Sequence, residues 1–200
     1  DEKDLLQIAS VIGKDVPLAL LQCIADRPEA SLRQCLSQLQ GAEFLYEARL
    51  SSELGFTFKH ALTYEVAYGT LLRATRQRYH RRIAEALVEQ FPETAAARPE
   101  LVAHHWTAAA DPVQALRYWR LAGEHARERS AHVEVVTHLS HALRLLESLP
   151  ESPDRAQQEA DLQIGMAQAL HALKGQSAPE VEQAYERARE LCERANDDQQ

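Results

Sequence analysis

The chain has 200 residues, 45% hydrophobic and 26% charged, enough to bury a real core in one or two compact units. Its formal net charge of −8 argues against a surface built to neutralise duplex phosphates, and Cys23, Cys35 and Cys192 are too few and too scattered for a disulfide framework or a Cys-x-x-Cys zinc site. No apolar run approaches the roughly 18 residues that span a bilayer, so a cytoplasmic protein with no membrane partner is expected.

Only 7 Gly and 8 Pro stand against abundant Ala, Leu, Glu, Gln and Arg, which predicts a mainly α fold with short connections. Asp1-Glu2-Lys3 leads directly into an apolar helix with neither Met nor leader, so a piece of a longer polypeptide is expected. Leu5, Leu6, Ile8, Ala9 and Ile12 recur at helical spacing, and Gly13 follows where a helix end favours positive φ. A second short helix is expected to begin at Val16-Pro17 and run through Leu18, Leu21, Cys23 and Ile24. A third runs from Ser31 to Gln40 with Leu32, Cys35, Leu36 and Leu39 on one face and Gly41 as its stop.

Phe44 to Leu50 and Gly55 to Lys59 are rich in strand formers, and Ser51-Ser52-Glu53 between them reads as a turn, so a β-hairpin is predicted. Three helices and a hairpin are the order of a winged helix-turn-helix. The exposed face of its third helix carries Arg33, Gln34, Ser37, Gln38 and Gln40, one cation followed by Glu43. A DNA reader needs a basic footprint on that face, so an internal packing module is the favoured reading and nucleic acid an unlikely partner.

Phe56-Thr57-Phe58-Lys59-His60-Ala61-Leu62 then delivers one histidine from a strand to the start of a helix. There His60 reads either as a hydrogen-bonded structural residue or as a phosphate-sensing one, since a helix N-terminus adds positive potential. Arg73, Arg76, Arg78, Arg81 and Arg82 spread around the next helix and form no phosphate stripe. That helix, from Arg73 to Gln90, turns Tyr79, Ile83, Ala86 and Leu87 inward.

An Ala-rich connection is expected from Thr94 to Arg98, and Pro99 restarts a helix containing Leu101, Val102, His105 and Trp106. Asp111-Pro112 opens another, with Asp as N-cap. The triplets Ala115, Trp119, Ala122, then Val135, Leu139, Ala142, and Val181, Tyr185, Ala188 share spacings of four and three. Each marks a helix stripe, and Tyr118, Trp119 and Tyr185 are expected in the core. Small residues in these stripes, with Leu162 and Gly165 and a longer turn at Lys174 to Pro179, are similar to tetratricopeptide repeats, in which paired helices approach closely.

Neither the adjacent pair His104-His105 nor His138 with His141 completes a metal site by spacing, so none is expected. There is no Gly-x-Ser-x-Gly elbow and no Gly-x-x-x-x-Gly-Lys-Ser/Thr loop. A catalytic role for these 200 residues is not expected, nor a cofactor of their own.

The segment from Leu5 to Ala86, most tightly Phe56 to Leu87, resembles the region after the nucleotide-binding domain in bacterial STAND ATPases, the AAA-like signalling ATPases often coupled to nucleotide cyclase or LuxR-type output domains. The resemblance implies a winged helix over residues 1–72, connecting helices over 73–110 and a tetratricopeptide-like α-solenoid over 111–200. It implies ATP or ADP in a parent protein, with Phe58-Lys59-His60-Ala61-Leu62 similar to a motif whose histidine contacts the β-phosphate of ADP. In the related immune ATPases an Asp follows that histidine; here it is Ala61. The implied mechanism is a switch: with ADP, His60 ties the winged helix to an upstream nucleotide-binding domain of the same chain, and with ATP the tie breaks. The helical arm would receive a protein or small-molecule inducer. Two other readings stand beside this one: a DNA-binding regulator with a helical sensor arm, and a free-standing tetratricopeptide scaffold.

Overall fold

Apolar residues at helical spacing build most of the chain: the computed structural model is 76% helical with a small three-stranded antiparallel sheet. The structure describes residues 2–50 and 53–197. Ser51 and Ser52 of the expected turn lie outside the described residues. Two compact units emerge, one of Asp1–Glu93 with Ala108–Ala110 and the other of Thr94–Thr107 with Asp111–Gln200.

The first unit contains α1 (Glu2–Ile12), β1 (Asp15–Pro17), α2 (Leu18–Ala25), α3 (Glu29–Gly41), β2 (Leu45–Leu50), β3 (Glu53–Phe58), α4 (Ala61–Gly69) and α5 (Arg73–Gln90). Helix α1 packs against α2, α3, α4 and α5. Leu5, Leu21, Ile24, Leu32, Leu45, Phe58 and Ile83 fill the core among them. Strand β3 is central, with β1 and β2 antiparallel on its two sides.

Residues 15–17 differ from expectation, because Val16-Pro17 is strand and α2 starts only at Leu18. Val16 pairs with Phe56 and is wholly buried, and Thr57 Oγ1 donates to Asp15 Oδ1 at 2.8 Å. A buried β-branched residue on the open edge of β3 outweighs the helix-starting preference of Pro17, which closes the strand where no further N–H is needed. Gly55 lies opposite Ala48 and Pro17, and a Cβ there would meet the Val16 carbonyl oxygen at 2.8 Å and Leu50 Cδ1 at 2.4 Å. The Val16 backbone and the Leu50 side chain crowd the position so closely that only hydrogen fits, a usual meaning of glycine inside a strand. The stop at α3 also differs: Gly41 is still helical, and the left-handed residue that turns the chain into β2 is Glu43 at φ 60°.

The remaining helices are α6 (Pro92–Ala97), α7 (Pro99–Ala108), α8 (Pro112–Glu128), α9 (His132–Glu147), α10 (Pro153–Lys174) and α11 (Pro179–Asp197). Helix α6 occupies the stretch expected as a connection, consistent with a proline in the first turn and a run of alanines, the best helix former. In the second unit α9 packs on α8, α10 on α9 and α11 on α10. Asp111 caps α8 by accepting from the Gln114 amide at 3.2 Å, and Ser152 caps α10 by accepting from that of Arg155 at 3.1 Å.

Leu139 of α9 is the wedge between neighbours. A Cβ on Gly123 of α8 would lie 2.6 Å from its Cδ2, and one on Gly165 of α10 would lie 3.1 Å from its Cδ1. The two glycines therefore let two helices close on one leucine. The first two stripes are buried as expected, as are Tyr118 and Trp119. The third is corrected: Tyr185 is 44% exposed, and α11 buries Val181, Ala184, Ala188 and Leu191 instead. That set keeps intervals of three and four, which rotates Tyr185 one position off the stripe.

Candidate functional site

Strand β3 ends at Phe58 and α4 starts at Ala61, so His60 falls at the N-cap, with extended backbone at φ −129° and ψ 133°. Its carbonyl accepts from the Thr63 and Tyr64 amides at 3.1 and 3.3 Å, while its side chain makes no capping hydrogen bond and is exposed. Before it, Lys59 donates its amide to the Phe44 carbonyl at 3.0 Å and pairs its ammonium with Glu43 at 2.8 Å. The hydrogen bond from Lys59 holds the Glu43 carboxyl below its usual range, reinforced by the Lys59 charge and by His60. The junction thus gathers an ammonium, an imidazole and the positive end of a helix.

The surface beyond His60 is apolar. Leu62 is 69% exposed, Val66 on the next turn 55%, and Leu72 after the helix 77%. Leu62 and Val66 are four apart and share one face of α4, while Ala67 on the opposite face is buried.

Behind that surface runs a ladder of rings. Phe58 meets Tyr64 edge-on at 5.5 Å, Tyr64 stacks on Tyr68 at 6.4 Å, and Tyr68 contacts His80 of α5 at 5.9 Å. The Tyr68 hydroxyl and His80 Nε2 are hydrogen-bonded at 3.0 Å, and His80 is 2% exposed. Burial, first, and the neighbouring Tyr68 and Glu65 push the Tyr64 phenol up. Two of the arginines lie over rings, Arg76 on Tyr68 at 5.0 Å and Arg78 on Tyr79 at 5.5 Å. His80 is the residue the sequence reading missed. Its only signal was its place beside Tyr79 and one turn before Ile83 on the inward stripe.

In the second unit, histidines that look unpromising as metal ligands surround Trp119. The His141 ring stacks on the indole at 4.3 Å and the His138 ring lies at 5.5 Å. Trp119 Nε1 donates to Thr107 Oγ1 at 2.9 Å. Arg144 donates to His141 Nδ1 at 2.6 Å, which places that ring's proton on Nε2 in the neutral form. His138 Nδ1 is buried without a hydrogen-bond partner. Burial is the leading cause that lowers the pKa of His104, His138 and His141, and for His141 the charges of Arg144, His138 and His104 add to it.

Among the described residues no group of three or more His, Cys, Asp or Glu could hold a metal ion, and no helix is long and apolar enough to cross a membrane. The chain is 27% identical over 193 residues to an uncharacterized protein of Rhizobium meliloti (strain 1021), a match covering 96% of this chain and 19% of that protein. Most of that relative therefore lies outside the matched segment. No family model matches the chain, and no solved structure matches it.

Proposed function

We propose that this chain is the non-catalytic regulatory segment of a STAND-type signalling ATPase. Its first unit is a winged helix that senses the nucleotide state of an upstream ATPase domain, and its second is a tetratricopeptide-like arm for a protein or small-molecule inducer. ATP and ADP belong to the parent's nucleotide domain, and His60 reads the ADP phosphate.

The observation that carries this reading is the α4 junction, where an exposed His60 stands at a helix N-terminus with Leu62 and Val66 bare beside it. An imidazole and the positive end of a helix suit a phosphate, and exposed apolar side chains one turn apart suit a protein surface that covers them. The element order, three helices with a short strand between the first two and then a hairpin, is compatible with a winged helix. The sequential packing of α8 to α11 with glycines at the close contacts is compatible with a repeat arm. DNA reading is disfavoured by α3, whose single cation on the exposed face, Arg33, is already paired with Glu29.

The test is the nucleotide content of the purified full polypeptide. With His60→Ala, bound ADP falls and basal output rises; unchanged ADP retention and output would remove the sensor role. Leaving Lys59 intact keeps the Glu43 pair as an internal control for the local fold.

A further inference from the structure

In the second unit α8 and α10 flank an open groove made of two hollows, of 460 Å³ and 210 Å³, that adjoin at Arg120 and Glu124, which line both; Val135 and Leu139 of α9 line the smaller. Arg117, Arg120 and Arg127 all line it from α8. Among the described residues none of the three forms a salt bridge, and the Arg117 guanidinium lies only near the Tyr118 ring, at 5.5 Å. In a chain of net charge −8, three unneutralised guanidiniums on one wall are a local reversal of sign. Val113, one turn before Arg117, is 61% exposed, Leu121 between Arg120 and Arg127 is 40% exposed, and Ile164 across the groove is 37% exposed. The α10 wall adds the amides of Gln158 and Gln168 and the carboxylate of Asp161.

We infer that this groove binds an extended acidic peptide segment of a partner protein. The proposal deepens the reading of the second unit as a partner-binding arm and is independent of the nucleotide link. From Val113 to Arg127 the wall is roughly 21 Å long at 1.5 Å per residue, room for about six peptide residues in the polyproline II conformation at about 3.1 Å each, in which side chains three apart share a face. One carboxylate fits the fork between Arg117 and Arg120, three apart on the helix. Arg127 lies about 10 Å farther on, which places a second carboxylate three residues along the peptide. Glu124 stands between them, so the intervening peptide positions carry no negative charge. Apolar side chains of the peptide rest on Val113, Leu121 and Ile164, and Gln158 and Gln168 serve its backbone. A nucleic acid strand fits less well, because its evenly spaced phosphates would meet Glu124 and Asp161.

Fluorescence anisotropy on the 200-residue chain tests this with dye-labelled peptides bearing two glutamates separated by one, two or four residues, and a control with glutamines in their place. The two-residue separation binds best, and the glutamine control at least about tenfold weaker, as expected for charge-assisted hydrogen bonds. Arg127→Ala removes the spacing preference and Arg120→Ala weakens all three peptides, with circular dichroism checking that each variant is folded. Equal binding of the control, no binding at millimolar peptide, or tighter binding of a short single-stranded DNA than of the best peptide overturns the proposal. Because no nucleotide is present, His60 variants leave the result unchanged, so failure here and failure of the nucleotide reading are separable.

Discussion

Each unit sets histidine against aromatic rings, and the two do it in opposite ways. In the first, His80 is sealed in the core with Nε2 bonded to the Tyr68 hydroxyl, a joint between α4 and α5. In the second, His138 and His141 press on Trp119 with only partial hydrogen bonding, His138 Nδ1 having none. A satisfied buried imidazole fixes geometry; a crowded, poorly bonded group of them disfavours the charged form. The first arrangement holds position, and the stability of the second depends on protons.

The largest effect that sharpens this contrast comes from the indole. Trp119→Ala removes the surface on which both histidines pack and the bond to Thr107, and is expected to cost the second unit about 3–5 kcal/mol in denaturant unfolding. A loss under about 1 kcal/mol would mean that the cluster is peripheral to packing. Gly123→Ala follows: the new Cβ must displace Leu139, a cost of about 1–3 kcal/mol, and trimming that leucine in the same chain should relieve part of it.

Tyr68→Phe deletes one hydroxyl and the bond to His80, and about 1–2 kcal/mol of stability should go with it. The second unit adds a dependence on pH. The pKa values of His104, His138 and His141 are held below the ordinary value, so the unfolded chain binds protons that the folded one refuses. The associated stability is present above about pH 6.5 and is lost as pH falls from there toward the lowered folded values. Thermal unfolding followed between pH 7.5 and 5 should show that decline, and His141→Gln should flatten it. A curve that is already flat in the wild-type chain would contradict the neutral cluster. The smallest effect is expected at the bare α4 face, where Leu62→Ser should change stability by less than about 0.5 kcal/mol, since that residue is 69% exposed.

The parts of the fold that repeat locally were legible in the sequence. The α5 stripe of Tyr79, Ile83, Ala86 and Leu87 is buried as its spacing requires, and the Asp111 cap falls where an Asp-Pro start places it. Features set by distant partners were not. Val16 reads as helix entry until β3 is known to offer an open edge, and Tyr185 sits on a plausible stripe until Ala184 and Leu191 claim the buried face. The position of His60 at the junction was readable from the strand-to-helix change. Its exposure, and the bare leucine and valine beside it, depended on which face α4 turns to α1. Histidines 104, 138 and 141 were visible only as separate pairs, because spacing along one helix cannot reveal a tryptophan supplied by another.

The central proposal is that a nucleotide domain covers the α4 face in the ADP state. Hydrogen exchange on the full polypeptide addresses it most directly, read at the amides of residues 61–66 with ADP and then with a non-hydrolysable ATP analogue. Slow exchange with ADP and fast exchange with the analogue is the predicted result. Equal exchange in both states, or protection only with the analogue, would contradict an ADP-dependent cover over His60, Leu62 and Val66.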